Sequence, residues 1–265
     1  FRETFDESIK LRMVSDVPVG VLLSGGLDSS SILASLNHQN FRDIQTFNIG
    51  FKEKEHNESH LAMRMSERFN YPFHTMHLED NALYEKLVSS TYFQDEPIMH
   101  LSEPHILALS QMAKPSVKVL LSGEGADELM GGYVRYKALK YPSLLKAIAT
   151  IGHMDYFTTK PRFEKLARYS QIEKKDDLIL YNGSNIYPKD IENIFGIKNP
   201  PKNEYRNQIL EDAKSLYPNN LRRQALYFDQ HTYLCSLLDR NDRCTMGASI
   251  ECREPFLDQR LIAGL

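Results

Sequence analysis

The sequence has little of what marks secreted, membrane-spanning or nucleic-acid-binding proteins. Its three cysteines, Cys235, Cys244 and Cys252, are odd in number and lack the C-x-x-C spacing of metal sites, so we interpret them as reduced cytosolic thiols. With 32 basic and 35 acidic residues, the net charge of −3 gives no electrostatic argument for nucleic acid. No apolar run approaches membrane-spanning length and no signal peptide is visible. We therefore expect a cytoplasmic protein that binds neither nucleic acid nor membrane.

Two common nucleotide-binding motifs are also absent. The chain has no G-x-x-x-x-G-K-[ST] segment, so no loop lysine is available for a β- or γ-phosphate. It has no G-x-G-x-x-G fingerprint of dinucleotide-binding folds. A phosphate site in this protein must therefore be built in another way.

The most informative segment is residues 17–30, VPVGVLLSGGLDSS, which has the pattern of a buried strand, a glycine turn and a helix start. Gly25 and Gly26 allow a sharp turn, and a helix N-terminus after glycines is an anion site. Asp28 would repel bare phosphate unless a divalent cation bridged the two groups. The segment thus predicts a metal-assisted nucleotide site with pyrophosphate as a leaving group, and the alternative is an ordinary strand-to-helix turn.

Apolar strands alternate with helical patterns through the first half of the chain. Strands are predicted from about Pro18 and at 44–51, 73–78 and 117–121, with helices before and between them. This alternation predicts an α/β fold with a doubly wound parallel sheet. Beyond Tyr133 the pattern becomes mainly helical. We therefore expect an α/β core over residues 1–135 and a mainly helical part over residues 136–265.

Ligands of open parallel sheets bind beyond the carboxyl ends of strands, near a switch in strand order. Strands one and four are expected to flank that switch, so loops 24–29 and 122–128 would face each other. One phosphate-binding hollow would then be surrounded by three carboxylates, those of Asp28, Glu124 and Asp127. Mg²⁺ is needed there to offset the repulsion between the carboxylates and the phosphate. The alternative for Asp127 and Glu128 is a solvated turn or a helix cap.

Three segments resemble one known family. Residues 24–29, SGGLDS, resemble the pyrophosphate loop (PP-loop) of the ATP-pyrophosphatase superfamily. Residues 120–133, LLSGEGADELMGGY, resemble the second signature of glutamine-hydrolysing asparagine synthetases, and residues 251–258, ECREPFLD, resemble their V-R-x-P-F-L-D element. The segments stand in the family's order and span most of residues 12–260. The chain thus resembles the C-terminal synthetase domain of that family.

The resemblance implies an adenine nucleotide alpha-hydrolase-like core with an additional helical subdomain. It implies that Glu124 is catalytic in forming an acyl-adenylate and that Asp28 and Asp127 bind Mg²⁺. Glu251 and Arg253 could hold the ends of an amino-acid substrate, or could form a structural ion pair. The positions implied to bind ATP or pyrophosphate are Ser24, Gly25, Gly26, Asp28, Ser29, Ser122 and Gly123, with Leu22 and Ile49 at the adenine unless they are simply core residues.

The reaction implied by the resemblance has two steps. A carboxylate, aspartate in asparagine synthesis, attacks the α-phosphorus of ATP and releases pyrophosphate; ammonia then displaces AMP. The alternatives are amidation or ring closure on another carboxylate by a family relative, or an excised nucleotide-binding fragment that is inactive. The family's glutaminase domain and its downstream catalytic lysine have no counterpart in these residues, so a glutaminase domain is expected in a full-length parent.

Overall fold

The computed structural model describes residues 1–51, 57–139, 176–181, 183–184, 186–198 and 203–264. The chain divides into two compact units, one of Phe1–Ala126 with Ser236–Leu265 and one of Asp127–Cys235. The described helices are α1 (Arg2–Arg12), α2 (Leu27–His38), α3 (Ser59–Arg68), α4 (Asp80–Gln94), α5 (Glu103–Ala113), α6 (Ala126–Met130), α7 (Val134–Ala138), α8 (Asp177–Leu180), α9 (Pro188–Phe195), α10 (Glu204–Leu216), α11 (Leu221–His231), α12 (Tyr233–Met246) and α13 (Gln259–Ala263).

The first unit is built on a sheet of five described strands in the order β3-β2-β1-β4-β5. Neighbouring strands are parallel throughout. The strands are β1 (Val19–Leu22), β2 (Gln45–Gly50), β3 (Phe73–His77), β4 (Val119–Leu121) and β5 (Glu251–Arg253). The predicted α/β fold with a parallel sheet is confirmed. Since β1 lies directly beside β4, the switch in strand order falls where the sequence predicted it.

Apolar side chains cover both faces of this sheet. Val119 and Leu121 belong to one buried cluster, whereas Leu120 between them belongs to another. This alternation follows from the two-residue period of a strand, and two covered faces explain why β1 and β4 are almost wholly apolar. The two clusters hold β1 and β4 firmly, which fixes the loops that leave their carboxyl ends.

The strand β5 was not predicted as a strand. It has three residues, two of them charged, and therefore lacks the apolar run that revealed the other strands. Its pairing with β4 places Glu251 opposite Val119 and Arg253 opposite Leu121. Residues Ser236–Leu265 consequently belong to the α/β unit, and the boundary predicted near residue 135 differs from the division at Asp127 and Ser236.

The second unit has a helical core of its own. Tyr136, Phe228 and Leu210 are among its buried residues. The guanidinium of Arg135 lies 4.1 Å from the ring centre of Tyr133 and 4.8 Å from that of Tyr233, and it donates to Asp229 at 2.9 Å. Of the part predicted to be mainly helical, residues 140–175, 182, 185, 199–202 and 265 lie outside the described residues.

Among the described residues, no helix is both long enough and apolar enough to cross a membrane.

Candidate functional site

The predicted pyrophosphate loop joins β1 to α2 and is held by its own serines. Ser24 and Ser29 hydroxyls lie 3.0 Å apart, and the backbone N–H of Ser24 donates to the Ser29 hydroxyl at 3.2 Å. The backbone N–H of Gly26 donates to the Ser24 hydroxyl at 3.2 Å. Gly26 is the N-cap of α2, and within the described residues no side chain caps this helix start. The loop thus presents helix N–H groups of the kind that bind phosphate.

Gly25 is required by the backbone of this loop. Its φ is +85°, and a Cβ there would lie 2.7 Å from the backbone nitrogen of Ala62. The loop therefore packs closely against the start of α3, and a side chain at Gly25 would disturb both. At Gly26, a Cβ would meet only the Ser24 hydroxyl, at 3.2 Å. The loop is crowded at Gly25 and open at Gly26.

The second predicted loop follows β4 and faces the first. A Cβ on Gly123 would lie 3.2 Å from both the Asp28 Cβ and the Ser29 backbone nitrogen. The Ser122 N–H donates to the Arg253 carbonyl at 2.9 Å, and the Ser122 hydroxyl accepts from the Glu124 N–H at 3.3 Å. Since Gly123 touches Asp28, the structure brings together the start of α2 and the loop after β4.

Glu124 lies in this second loop and is fixed by an arginine from α12. The Glu124 carboxylate is in an ion pair with Arg240, whose side chain is 8% exposed, whereas that of Glu124 is 28% exposed. Arg240 also donates to the hydroxyl of Ser102 at 3.0 Å and to the side-chain oxygen of Asn241 at 2.9 Å. Glu124 therefore combines access to solvent with a fixed, buried partner.

Buried polar groups extend from this ion pair. Burial raises the pKa of Glu254, while hydrogen bonds from Cys252 and Asn241 oppose that rise. Burial also raises the pKa of the Cys252 thiol well above its usual range. The pKa of His100 is lowered, first by burial and then by the charge of Arg240. The charge of Glu124 therefore acts on three partly or fully buried titratable groups, those of His100, Cys252 and Glu254, in addition to its pairing with Arg240.

Leu22 and Ile49, predicted at the adenine, lie on neighbouring strands: Leu22 is the last residue of β1 and Ile49 is the residue before the last of β2. Both side chains are partly buried and pack on the cluster that contains Phe47 and Leu120. The side chains therefore serve the core. Main-chain contact with adenine, which the family resemblance implied, stays a prediction.

Glu251 and Arg253 pair with each other at 2.7 Å. Arg253 also donates to the carbonyls of Arg12, at 2.7 Å, and Val14, at 3.0 Å. These contacts tie β5 to the last residue of α1 and to the segment that follows it. Binding of an amino-acid substrate by these two residues remains a prediction.

Asp127 opens the second unit, in the first turn of α6. Burial raises its pKa, and the charge of Arg135 acts in the opposite direction. Its neighbour Glu128 is 1% exposed and accepts a hydrogen bond from the Tyr133 hydroxyl at 2.5 Å. Glu128 is therefore a buried structural residue rather than part of a solvated turn.

The donors present fit a nucleotide that carries Mg²⁺. Within the described part of the chain, no group of three or more His, Cys, Asp or Glu side chains could hold a metal by itself. Mg²⁺ characteristically binds one or two carboxylates together with phosphate oxygens and water. The uncapped start of α2 offers N–H groups to phosphate, and Asp28 on its first turn offers a carboxylate.

Sequence reasoning missed Arg240, Asn241 and Ser102. A signal existed for the first two: in α12 they occupy the helix face that also carries the buried Leu237 and Cys244. A charged side chain on an apolar helix face indicates a buried partner, because an unpaired buried charge is unfavourable. The partner itself, 116 positions earlier in the chain, has no signal in the sequence.

Comparison with known proteins gives a consistent result. The family described as asparagine synthase matches residues 1–264. Over 98% of its length the chain is 28% identical to the glutamine-hydrolysing asparagine synthetase 3 of Bacillus subtilis, covering 41% of that protein. It is 27% identical to synthetase 1 of the same organism, over 97% of the chain and 42% of that protein. It is 29% identical to the amidase chry2 of Gibberella zeae, over 52% of the chain and 23% of that protein. The chain spans about two fifths of the length of the synthetases it matches.

Proposed function

The chain belongs to the asparagine synthase family, and from this premise we propose that it catalyses ATP-dependent amide formation through an acyl-adenylate. The substrate we favour is aspartate, with ammonia as the nitrogen source and asparagine, AMP and pyrophosphate as products. We also propose that a glutaminase domain supplies the ammonia in a longer protein, as the glutamine-hydrolysing names of the two synthetase relatives suggest.

The observation that supports this function most strongly is the contact between the two loops. The loop after β1 and the loop after β4 meet at Gly123 and Asp28, beside the switch in strand order. Open α/β sheets bind their ligands at such a point. A helix N-terminus, an aspartate and a fixed glutamate there suit a reaction whose main needs are alignment and charge neutralisation.

In this proposal each loop has its own part of the chemistry. The N–H groups at the start of α2, with Ser24 and Ser29, hold the pyrophosphate that leaves. Asp28 and Asp127 would hold Mg²⁺, which would neutralise the phosphate charge. Glu124 contacts the reacting carboxyl or the incoming nitrogen. Leu22 and Ile49 line the adenine through their main chain.

A second candidate is amidation or ring closure on another carboxylate. Two observations favour it: Glu251 and Arg253, the residues predicted to bind the amino acid, are paired with each other, and one relative is named an amidase. Both candidates share the acyl-adenylate step. They differ in the acid that enters it and, for ring closure, in the nitrogen nucleophile, which then belongs to the substrate itself.

Exchange of labelled pyrophosphate into ATP tests the proposal. The protein is assayed with all flanking sequence that its gene encodes, with Mg²⁺, and with aspartate or other carboxylic acids one at a time. Exchange that requires aspartate supports asparagine synthesis, and exchange that requires a different acid supports the second candidate. Absence of exchange with every acid, from a protein that binds ATP, would contradict adenylation altogether.

A further inference from the structure

The surroundings of Arg240 are unusual for a charged side chain. Arg240 and Asn241 are 7% and 2% exposed, and they lie on the apolar face of α12. The Nε and Nη2 atoms of Arg240 donate to the Asn241 side-chain oxygen at 3.2 and 2.9 Å, and Nη1 donates to the Ser102 hydroxyl at 3.0 Å. Nη2 also donates to Glu124 Oε1. All three nitrogens of the guanidinium are therefore engaged.

The groups that hold Arg240 are themselves well anchored. Ser102 directly precedes α5, where the buried carboxylate of Glu103 accepts from the N–H groups of Met99, at 3.2 Å, and His100, at 2.9 Å. Asn241 is part of α12. Two separate helices thus determine the position of the guanidinium, and the guanidinium determines the position of Glu124.

Stability alone does not explain this arrangement. Taking an arginine and a glutamate out of water costs free energy, and a buried ion pair is weak grounds for a stabilising role. An arginine is nevertheless suited to hold a carboxylate in one orientation, because its planar donors have fixed directions. Such rigidity is valuable where a carboxylate must meet a reacting group to within a fraction of an ångström.

We propose that Arg240 is a positioning residue for Glu124: it occupies Oε1 and leaves Oε2 as the carboxylate oxygen for the substrate. The inference rests on the proposed function, since it assumes that Glu124 acts in adenylation or amide formation. Ser102 and Asn241 support it by fixing the guanidinium. Arg240 itself contacts Glu124 and does not have to touch the substrate.

A double-mutant cycle tests this role. Acid-dependent pyrophosphate exchange is measured in the protein with its native flanking sequence for the wild type, Arg240→Gln, Glu124→Gln and the double variant. If Arg240 acts through Glu124, Arg240→Gln lowers kcat for exchange by about 10²-fold in the wild type but by less than about 3-fold in the Glu124→Gln background. The KM for ATP stays within about 3-fold, and Arg240→Lys restores part of the loss.

Arg243→Gln is the matched control, because Arg243 lies on the same helix and pairs with Asp239 and Asp95 at the surface. It should change neither kcat nor KM. If Arg240→Gln fails to fold by circular dichroism, Arg240→Lys and Ser102→Ala enter the same cycle, each with a smaller loss that vanishes in the Glu124→Gln background.

The positioning role would be overturned if the kcat losses of the two single variants multiplied in the double variant. It would also be overturned if the loss in kcat were matched by parallel losses in melting temperature and ATP affinity. Either result would leave the proposed function intact. A wild-type protein that binds ATP but shows no exchange with any acid would instead contradict the proposed function, and the positioning role with it.

Discussion

Asp28 and Glu124 each follow a central strand of the sheet, β1 and β4, but their surroundings differ. Asp28 lies on the first turn of α2, whereas Glu124 is paired with Arg240. We expect Asp28→Asn to weaken Mg²⁺-dependent ATP binding, because it removes the charge that attracts the metal. Glu124→Gln should leave ATP binding intact and lower adenylate formation by about 10²-fold or more. Calorimetric titration with ATP, with and without Mg²⁺, and pyrophosphate exchange measure the two effects.

A purely structural role for these carboxylates has a different signature. Both variants would then lose melting temperature and ATP affinity in parallel. Equal ATP affinity in Mg²⁺ and in chelator would contradict the metal bridge at Asp28, and normal exchange by the Glu124→Gln variant would remove Glu124 from the chemistry.

Glu254 gives stability a distinctive dependence on pH. Burial raises its pKa above 4.5, so the folded protein binds this proton more tightly than the unfolded chain does. Its favourable contribution to folding is complete below pH 4.5 and is lost as the pH rises through the folded-state pKa. Glu254→Gln cannot ionise and keeps an acceptor. We expect the variant to melt like the wild type near pH 4.5, and at a higher temperature than the wild type at pH 8.

Glu251 is the control for this pH effect, since it lies three residues earlier, on β5, and Arg253 lowers its pKa. Its contribution has the opposite sign: it is present above pH 4.5 and is lost as the pH falls. Calorimetric scans between pH 4.5 and 8 should therefore show Glu251→Gln melting slightly below the wild type at pH 8. A difference of the same sign for both variants would refute the assignment.

Among the structural elements, the turn between β4 and α6 depends on Gly125. Its φ is +89°, and a Cβ would lie 2.3 Å from a methyl carbon of Leu257. Gly125→Ala should combine left-handed strain of about 1–2 kcal/mol with overpacking of about 1–3 kcal/mol. Urea unfolding followed by circular dichroism measures the loss in free energy of unfolding.

Gly196, which ends α9, separates the two contributions. Its φ is +69°, and a Cβ there would meet no atom of the described residues within 4 Å. Gly196→Ala should therefore show only the backbone cost, about 1–2 kcal/mol. Equal losses for the two alanine variants would mean that the contact between the turn and Leu257 does not matter.

At the scale of the whole molecule, burial should make two of the thiols, those of Cys235 and Cys244, differ in reactivity. Cys235 is exposed and Cys244 is buried, and burial raises the pKa of Cys244 to about 11. Because the thiolate is the reactive form, iodoacetamide should modify Cys235 at least about 10-fold faster than Cys244 in the native protein. Peptide mass spectrometry over time follows each site. In urea, which unfolds the protein, the two thiols should be modified at equal rates. Equal modification rates in the folded protein would contradict the burial of Cys244.

The 265-residue polypeptide by itself should not hydrolyse glutamine. In the family, the cysteine nucleophile for that step belongs to a separate glutaminase domain, and the three cysteines here all lie in the segment that matches the synthase family. Incubation with glutamine should release no glutamate above the blank. Release that persists through repurification and is abolished by Cys235→Ser would show that this segment carries a glutaminase site.

Local patterns in the sequence were enough to predict much of the first unit. The apolar runs of β1 and β4 could be recognised because a strand buried on both faces needs apolar residues at successive positions. The S-G-G-L-D-S turn could be recognised because a sharp turn needs glycine at particular positions. Four strands and the rule for ligand sites in parallel sheets also predicted that loops 24–29 and 122–128 face each other. The structure added that Gly123 lies beside Asp28.

Only the tertiary structure decided which distant residues complete the site. β5 is recognisable as a strand only through its pairing with β4. Arg253 is occupied by Glu251 and by the carbonyls of Arg12 and Val14, and Glu124 is held by Arg240, 116 residues away. Periodicity and motif spacing describe neighbours along the chain. Ion pairs between distant residues depend on how helices and strands pack, and that information exists only in the folded protein.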